Sequence, residues 1–532
     1  MALLLGYACL TALFAPAVWI SVAEFRGQGA AGAAATTAQI VLLYALAIAL
    51  LATPVTAYLL FAPFAVVFVA LNFLNLAFYL LYRQSITDTI LTEILRLNPT
   101  ESREFIESVP PGYKAVAFGY GLVSLAALAY LLAEWPAAPD DGLVAAAVAL
   151  ITAAAAYAGG TFFALYPQKY VRQIGIIVSR TRALRRLKGD PGRADIEARA
   201  PASLSDEVFI LVIGESVRPA NLSLYGYGRE TTPFLTSIAD ELVVFEDAVS
   251  ASSTTHNALK YALTAATLDD DAPFFTRKTL LNATSRAGLH STWISNQPRN
   301  IVFDLPYEVA GAEADHRVFL NNEPLHPPLD GDMLPLVFDT IEGARPAFVV
   351  VHMFGSHFRY EKRVDDASRR FTQDSSYVQD VRCRANIVDN YDNTILYLDG
   401  FLERIITRCR DRRLACVLGF LSDHGEVLFD NGRDLGHALV RPQRKEFEVP
   451  YFYWASPEFR RRHPRNPLLG IAARQSAPAE TQYVFEDLAE IIGLSFGNLG
   501  EMRSNLKPRG DGPRRRRVLS QDRFFEFDRL ET

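Results

Sequence analysis

Residues 207–214, "EVFILVIG", followed directly by Glu215-Ser216, decide the reading of the chain. The stretch is a short apolar run that stops at a glycine, which is how a β-strand reads. Runs of the same kind recur at 242–248 ("LVVFEDA"), 289–295 ("LHSTWIS"), 346–353 ("PAFVVVHM"), 415–422 ("ACVLGFLS") and 449–455 ("VPYFYWA"). Amphipathic stretches separate them. In 386–409, apolar residues stand at 387, 388, 391, 395, 398, 402 and 405, a helical period that covers one face of a sheet. Strands alternating with helices predict an α/β fold.

Polar residues sit at informative places in that pattern. Open α/β sheets bind ligands beyond the carboxyl ends of their strands. Three strands end there in groups that bind metals: Glu215-Ser216, His352 through His357, and Ser422-Asp423-His424-Gly425-Glu426. A Glu after a strand is commonly a solvated loop residue, and "DHG" reads equally as a turn. Their joint occurrence, in order, is what points to a site. A mixed oxygen and nitrogen set suits zinc or manganese better than calcium. Between the first two groups, "DAVSASSTTHNALKYALTAAT" (247–267) places hydroxyls just before a helix, where free N–H groups favour an attacking alkoxide and a phosphate. Thr254 or Thr255 is therefore a candidate nucleophile; the plainer reading is a cluster of N-caps.

Working outward, the 532 residues divide sharply by charge. Residues 1–168 hold 14 charged side chains and the following 364 hold the other 98, while all nine histidines fall after residue 168. Five stretches, at about 3–22, 39–59, 62–82, 113–133 and 142–165, approach the length needed to cross a bilayer. The first lacks the charged start of a removable signal peptide. Pro54 and Pro63 punctuate the long run from 39 to 82, which fits a helical hairpin. Residues 169–199 carry nine Lys/Arg against three acids, a basic linker suited to anionic headgroups, and by the positive-inside rule a vote for the cytoplasm. The net charge of −6 argues against a general nucleic-acid binder.

With these residues assembled, the chain resembles the membrane-bound phosphoethanolamine transferases, the alkaline-phosphatase-superfamily group that includes lipid A and lipopolysaccharide-core modifying enzymes and colistin-resistance enzymes. The resemblance rests on "VFILVIGESVRPANLSLYGYGRETTPFL" (208–235), "VHMFGSH" (351–357), "NYDNTILYLDGFLERII" (390–406) and "LSDHGE" (421–426), behind five spans. It implies a five-helix transmembrane domain (1–168) whose 83–112 loop carries a helix near the active site. A basic amphipathic linker (169–203) and an alkaline-phosphatase-like α/β/α sandwich (204–532) follow.

The same resemblance implies the site. Glu215, Asp423 and His424 match the zinc ligands, and Thr255 matches the nucleophile, itself zinc-bound. His357 and His437 match histidines that hold the substrate phosphate or a second metal, and Asn296 matches a substrate-contacting amide. In the loop "ITDTILTEILRLNPTESREFIES" (86–108), positions where relatives show Asn, Thr and Glu read Glu93, Leu97 and Glu101, so only Glu101 agrees. One zinc ion is expected to be tightly bound, with room for a second. The implied enzyme is a monomer of the bacterial inner membrane with a periplasmic catalytic domain. It moves phosphoethanolamine from phosphatidylethanolamine to lipid A, the lipopolysaccharide core or another envelope glycan through a phosphothreonine-type intermediate. A manganese-dependent phosphoglycerol transferase, a lipid phosphodiesterase and an inactive membrane sensor or scaffold are the alternatives. Relatives outside the cytoplasm often carry several disulfides, whereas Cys383, Cys409 and Cys416 allow one at most, with Cys409 and Cys416 the short-loop pair. The arginines at 514–517 read as a solvated or lipid-contacting face.

Overall fold

Every residue of the strand Val208–Gly214 is buried, because the strand lies inside a sheet covered on both faces. The computed structural model describes residues 2–25, 29–82, 86, 90–91, 94, 99–134, 139–158, 168–187, 190, 192–298, 306–321, 327–439, 441–500, 503–507 and 515–531. Among these, eight strands form the main sheet in the order Arg474–Gln475, Leu242–Phe245, Tyr451–Ala455, Cys416–Ser422, Val208–Gly214, Ala347–His352, His290–Ser295 and His316–Phe319. Only Tyr451–Ala455 runs antiparallel to its neighbours.

The two-residue period of a strand divides the core in two. Val208, Ile210 and Val212 pack with Val337 and Ile341 and with Tyr391, Ile395, Leu402 and Ile405 of the long helix Arg384–Asp411. Phe209, Leu211 and Ile213 pack on the other face with Leu259, Leu280, Phe485 and Leu488, from the helices Thr255–Ala262, Leu280–Arg286 and Val484–Ile492. The α/β/α sandwich is thus written into alternate residues of one strand.

The chain divides into two compact units, residues 1–95 with 109–179, and residues 96–108 with 180–532. In the first, five helices are long and apolar enough to cross a membrane: Leu4–Ala23, Ala31–Leu51, Ala57–Tyr82, Pro111–Glu134 and Asp141–Ala158. The second begins earlier than its apolar run because the small residues of 29–38 continue the helix Gly29–Leu51. It ends before Pro54, which opens the next helical segment as first-turn prolines do. Small residues let Gly29–Leu51 and Pro139–Ala158 approach closely, since a methyl group at Gly142 would collide with Ala52.

The boundary between the compact units falls inside the basic helix Gln168–Leu187. The helix Pro99–Ser108, from the loop after the third span, belongs to the second unit and is tied to it by charge. Buried Glu104 accepts from Arg363 Nη2 (2.6 Å) and lies 3.2 Å from Lys362 Nζ, while Glu107 accepts from Arg359 (3.0 Å). Hydrogen bonds from Arg103 and Arg359 hold the Glu107 carboxyl at about 2. Glu104→Ala would leave Arg363 buried and unpaired, a loss of about 3–5 kcal/mol. The expected result is markedly faster amide exchange across residues 99–108 than in the wild-type chain, and equal exchange would refute the charge anchor.

Within the basic run, Arg516 is buried between Asp247 and Asp528 (2.7 Å each) and acts as an internal clamp, Arg517 pairs with Asp269 at the surface, Arg515 is exposed, and Arg514 lies outside the described residues. Cys409 and Cys416 are both buried free thiols; burial, then the contact with Cys409, pushes the Cys416 thiol well above its usual range.

Candidate active site

Glu215 is the first residue beyond its strand, and the turn that carries it is tightly built. Ser216 takes φ of 58°, a left-handed conformation uncommon for serine, and is held on all sides. Its N–H donates to Asp423 Oδ1 (3.0 Å), its hydroxyl donates to Glu215 Oε1 (2.7 Å), and its carbonyl accepts from Tyr391 (2.7 Å). Gly355, at φ 49°, lies against Glu215 so closely that a Cβ would come within 2.9 Å of its backbone nitrogen. Asp423 and His424 follow the neighbouring parallel strand Cys416–Ser422, whose Ser422 pairs with Gly214. Parallel register therefore brings the two strand ends side by side.

Thr255 opens the helix Thr255–Ala262 on the other side of the same rim. Its hydroxyl donates to Glu215 Oε2 (3.1 Å) and lies 3.4 Å from His424 Nε2. Thr254 Oγ1 instead meets Ser252 Oγ (3.3 Å), so the tertiary fold separates two threonines that the local sequence leaves equivalent.

Ligand atoms of Glu215, Asp423 and His424 lie within 4.8 Å of one another, all buried. His424 Nε2 is 3.3 Å from Asp423 Oδ2 and 3.4 Å from Glu215 Oε1. Bonds of about 2.0 Å in a tetrahedron require ligands about 3.3 Å apart, close to the separations of Thr255 Oγ1 from Glu215 (3.1 Å) and His424 (3.4 Å) and of His424 Nε2 from Asp423 (3.3 Å) and Glu215 (3.4 Å). Asp423 Oδ2 is buried and has no hydrogen-bond partner. His424 Nδ1 faces the Gly425 carbonyl (2.9 Å), which leaves Nε2 with its lone pair toward the carboxylates. The set fits a four-coordinate cation.

The electrostatics point the same way. Burial and the adjacent Asp423 carboxylate push Glu215 well above the usual range. Burial opposes the charge of Asp423, but His424, the Thr255 hydroxyl and two backbone amides hold its carboxyl below the ordinary value. Two carboxylates sharing one dry site repel until a cation or a proton separates them.

His437 and His357 border the cluster in opposite charge states. Burial works against the His437 imidazolium, but Glu426, whose Oε2 lies 3.0 Å from Nδ1, outweighs it and raises the pKa to about 9. The ring centroids of His424 and His437 are 4.0 Å apart, and His424, Glu426 and His437 form a second group capable of holding a metal. Burial, with Arg363 adding to it, holds His357 neutral; the ring lies between Phe354 and Phe358, and its Nδ1 has no partner. His352, at its strand end, turns away and packs against Trp293 and Tyr307.

Asn296 commits its amide nitrogen to Asp330 Oδ1 and the Pro328 carbonyl (2.9 Å each) while its Oδ1 is buried without a hydrogen-bond partner, and the next residue, Gln297, donates to Glu215 Oε2 (3.0 Å). Nothing in the local sequence marks Gln297, and Glu426, the end of the strand-end group "LSDHGE", gains its particular role from its contact with His437. Glu101 lies on the helix Pro99–Ser108 with its side chain outside the described residues, as are Glu93 and Leu97.

Residues 207–494, from the first strand of the sheet through the helix Val484–Ile492, match the sulfatase family. The chain belongs to the sulfatase family. Within that family, it is 28% identical over 312 residues to phosphoethanolamine transferase EptC of Escherichia coli, a match covering 56% of this chain and 53% of that protein. The chain thus spans about half the length of the curated relatives it matches. The crystal structure of the periplasmic domain of E. coli EptC in complex with Zn aligns over 63% of this chain and 96% of that one, with 24% identity and a TM-score of 0.56. The integral membrane phosphoethanolamine transferase EptA of Neisseria meningitidis aligns over 92% of this chain and 95% of its own, with 23% identity and a TM-score of 0.69. The fold, an apolar helical region before a sulfatase-type α/β domain, is therefore shared along nearly the whole chain.

Proposed function

We propose that this protein transfers phosphoethanolamine from phosphatidylethanolamine to an envelope glycolipid or glycan such as lipid A or the lipopolysaccharide core. The observation that carries the reading is the Thr255 hydroxyl at the Glu215–Asp423–His424 cluster, in a chain similar to phosphoethanolamine transferases. Glu215, Asp423, His424 and Thr255 would hold one zinc ion. When bound, zinc supplies the positive charge that lowers the pKa of the threonine hydroxyl. Thr255 Oγ1 attacks the phosphorus of the lipid, the bond to diacylglycerol breaks, and the departing oxygen takes a proton. His437, kept protonated by Glu426, offsets charge on the phosphoryl oxygens, and neutral His357 accepts or relays a proton. A second attack by the acceptor hydroxyl releases Thr255. With His437 deprotonated, the His424–Glu426–His437 group would hold a second ion.

The domains serve this scheme as an apolar membrane anchor (1–168), a basic linker (169–203) and a catalytic domain (204–532), in a monomer of the inner membrane. The catalytic domain faces the periplasm, because the acceptor is there and the positive-inside bias weakens for translocated domains of this size. A membrane-impermeant thiol reagent applied to whole cells should label a cysteine introduced on the surface of the catalytic domain; protection would place the site inside. The activity test uses full-length protein in detergent with labelled phosphatidylethanolamine. Diacylglycerol release should rise with added lipid A and match its modification. Free phosphoethanolamine released at one rate, with or without acceptor, would make the protein a lipid phosphodiesterase.

A further inference from the structure

We propose that the C-terminal hairpin, Arg517–Ser520 paired with Arg523–Glu526, is a positioning element of the active site, in which Gln521 holds the loop that carries His437. The hairpin lies beyond residue 494, where the sulfatase match ends. It is anchored rather than appended. Val518 and Phe527 pack in one buried cluster with Val249 and Phe447, and the clamp of Arg516 between Asp247 and Asp528 fixes its base.

One edge of the hairpin holds the approach to the nucleophile. Leu519 N donates to the Ala251 carbonyl (2.9 Å), Ser253 N donates to the Leu519 carbonyl (3.2 Å), and the Ser253 hydroxyl donates to Ser520 Oγ (2.9 Å). These bonds fix residues 251–253, immediately before Thr254 and Thr255.

The tip of the hairpin holds the other side of the site. Gln521 and Asp522 have φ of 48° and 60°, the conformation of a tight turn in which glycine and asparagine are the ordinary residues. Both side chains are engaged. Asp522 pairs with Arg180 (2.8 Å), and Gln521 Nε2 donates to the Ala438 carbonyl. His437 stands between Gly436 at φ 100° and Ala438 at φ 53°. A left-handed alanine persists only where its surroundings hold it, and the bond from Gln521 is such a hold, one residue from the imidazole. One two-stranded element therefore sets the separation of the Thr255 hydroxyl from the His437 ring. Placement errors of about 1 Å cost an enzyme up to about a hundredfold in rate.

The activity arm of the test rests on the transferase reading; a second arm does not. Gln521→Glu keeps the size of the side chain and the turn but removes the N–H donor, and Gln521→Lys restores a donor of similar reach. In the full-length protein, Gln521→Glu should lower kcat for diacylglycerol release about tenfold, with KM within about twofold and the unfolding midpoint unchanged. Gln521→Lys should recover most of the loss. Amide exchange of residues 435–439, followed by mass spectrometry, should speed up in Gln521→Glu and return toward wild type in Gln521→Lys. Wild-type kcat in Gln521→Glu overturns the proposal, as does unchanged exchange at 435–439. A wild-type protein that releases no diacylglycerol defeats the transferase reading, and the exchange comparison still decides the clamp.

Discussion

Thr255→Ala should reduce transfer by a factor of about 10³ or more while leaving the fold intact. The hydroxyl contributes the bond-forming oxygen, and no other described oxygen nucleophile reaches both Glu215 and His424. Its structural contribution is small. Thr255 is the first residue of its helix, half-buried, and alanine is a better helix former than threonine. Glu215 Oε2 would keep its bond from Gln297. Wild-type protein incubated with phosphatidylethanolamine should gain the mass of one phosphoethanolamine group, and the variant should not. Thr254→Ala serves as the comparison, because among the described residues that hydroxyl bonds only to Ser252. An inactive Thr254→Ala beside an active Thr255→Ala would move the nucleophile by one residue.

Asp423→Asn should strip the bound metal, from about one ion per chain to none by elemental analysis, and abolish transfer with it. The substitution keeps the volume and an oxygen for the Ser216 and His424 amides, but removes the charge on an oxygen with no other partner. Its effect on stability depends on the metal. In metal-free protein the Asp423 carboxylate pushes its neighbour Glu215 up but is itself held below its usual range by His424 and backbone amides, so the two effects oppose and Asp423→Asn should unfold close to metal-free wild type. In the presence of zinc the wild type alone should rise, because it alone gains binding energy. A variant that retains zinc and activity would dismiss this carboxylate as a ligand.

Much of the architecture was legible in local pattern. Apolar runs ending in glycine or serine marked Val208–Gly214 and Cys416–Ser422, and the polar residues just past them came together as a group able to hold a metal because parallel strands end on one edge. Apolar length marked the five membrane helices, although Gly29–Leu51 began in small residues that an apolar count passes over.

Other features depended on contacts between distant residues. Asn296 and Gln297 are adjacent, and only the packing of Asp330 against the strand end decides which amide faces Glu215. The helix Pro99–Ser108 lies between two spans in sequence, yet Glu104 finds its cation 259 residues away at Arg363. His357 and His437 have the same intrinsic pKa, and their opposite charge states follow from burial, with Arg363 adding to it, in one case and Glu426 in the other. Periodicity and strand-end chemistry are local, so the residues themselves determined the fold class, the membrane helices and the Glu215–Asp423–His424 set. Charge state, the choice between neighbouring side chains and the reach of the C-terminal hairpin depend on burial and on partners brought together by chain reversal, and these only the tertiary structure decided.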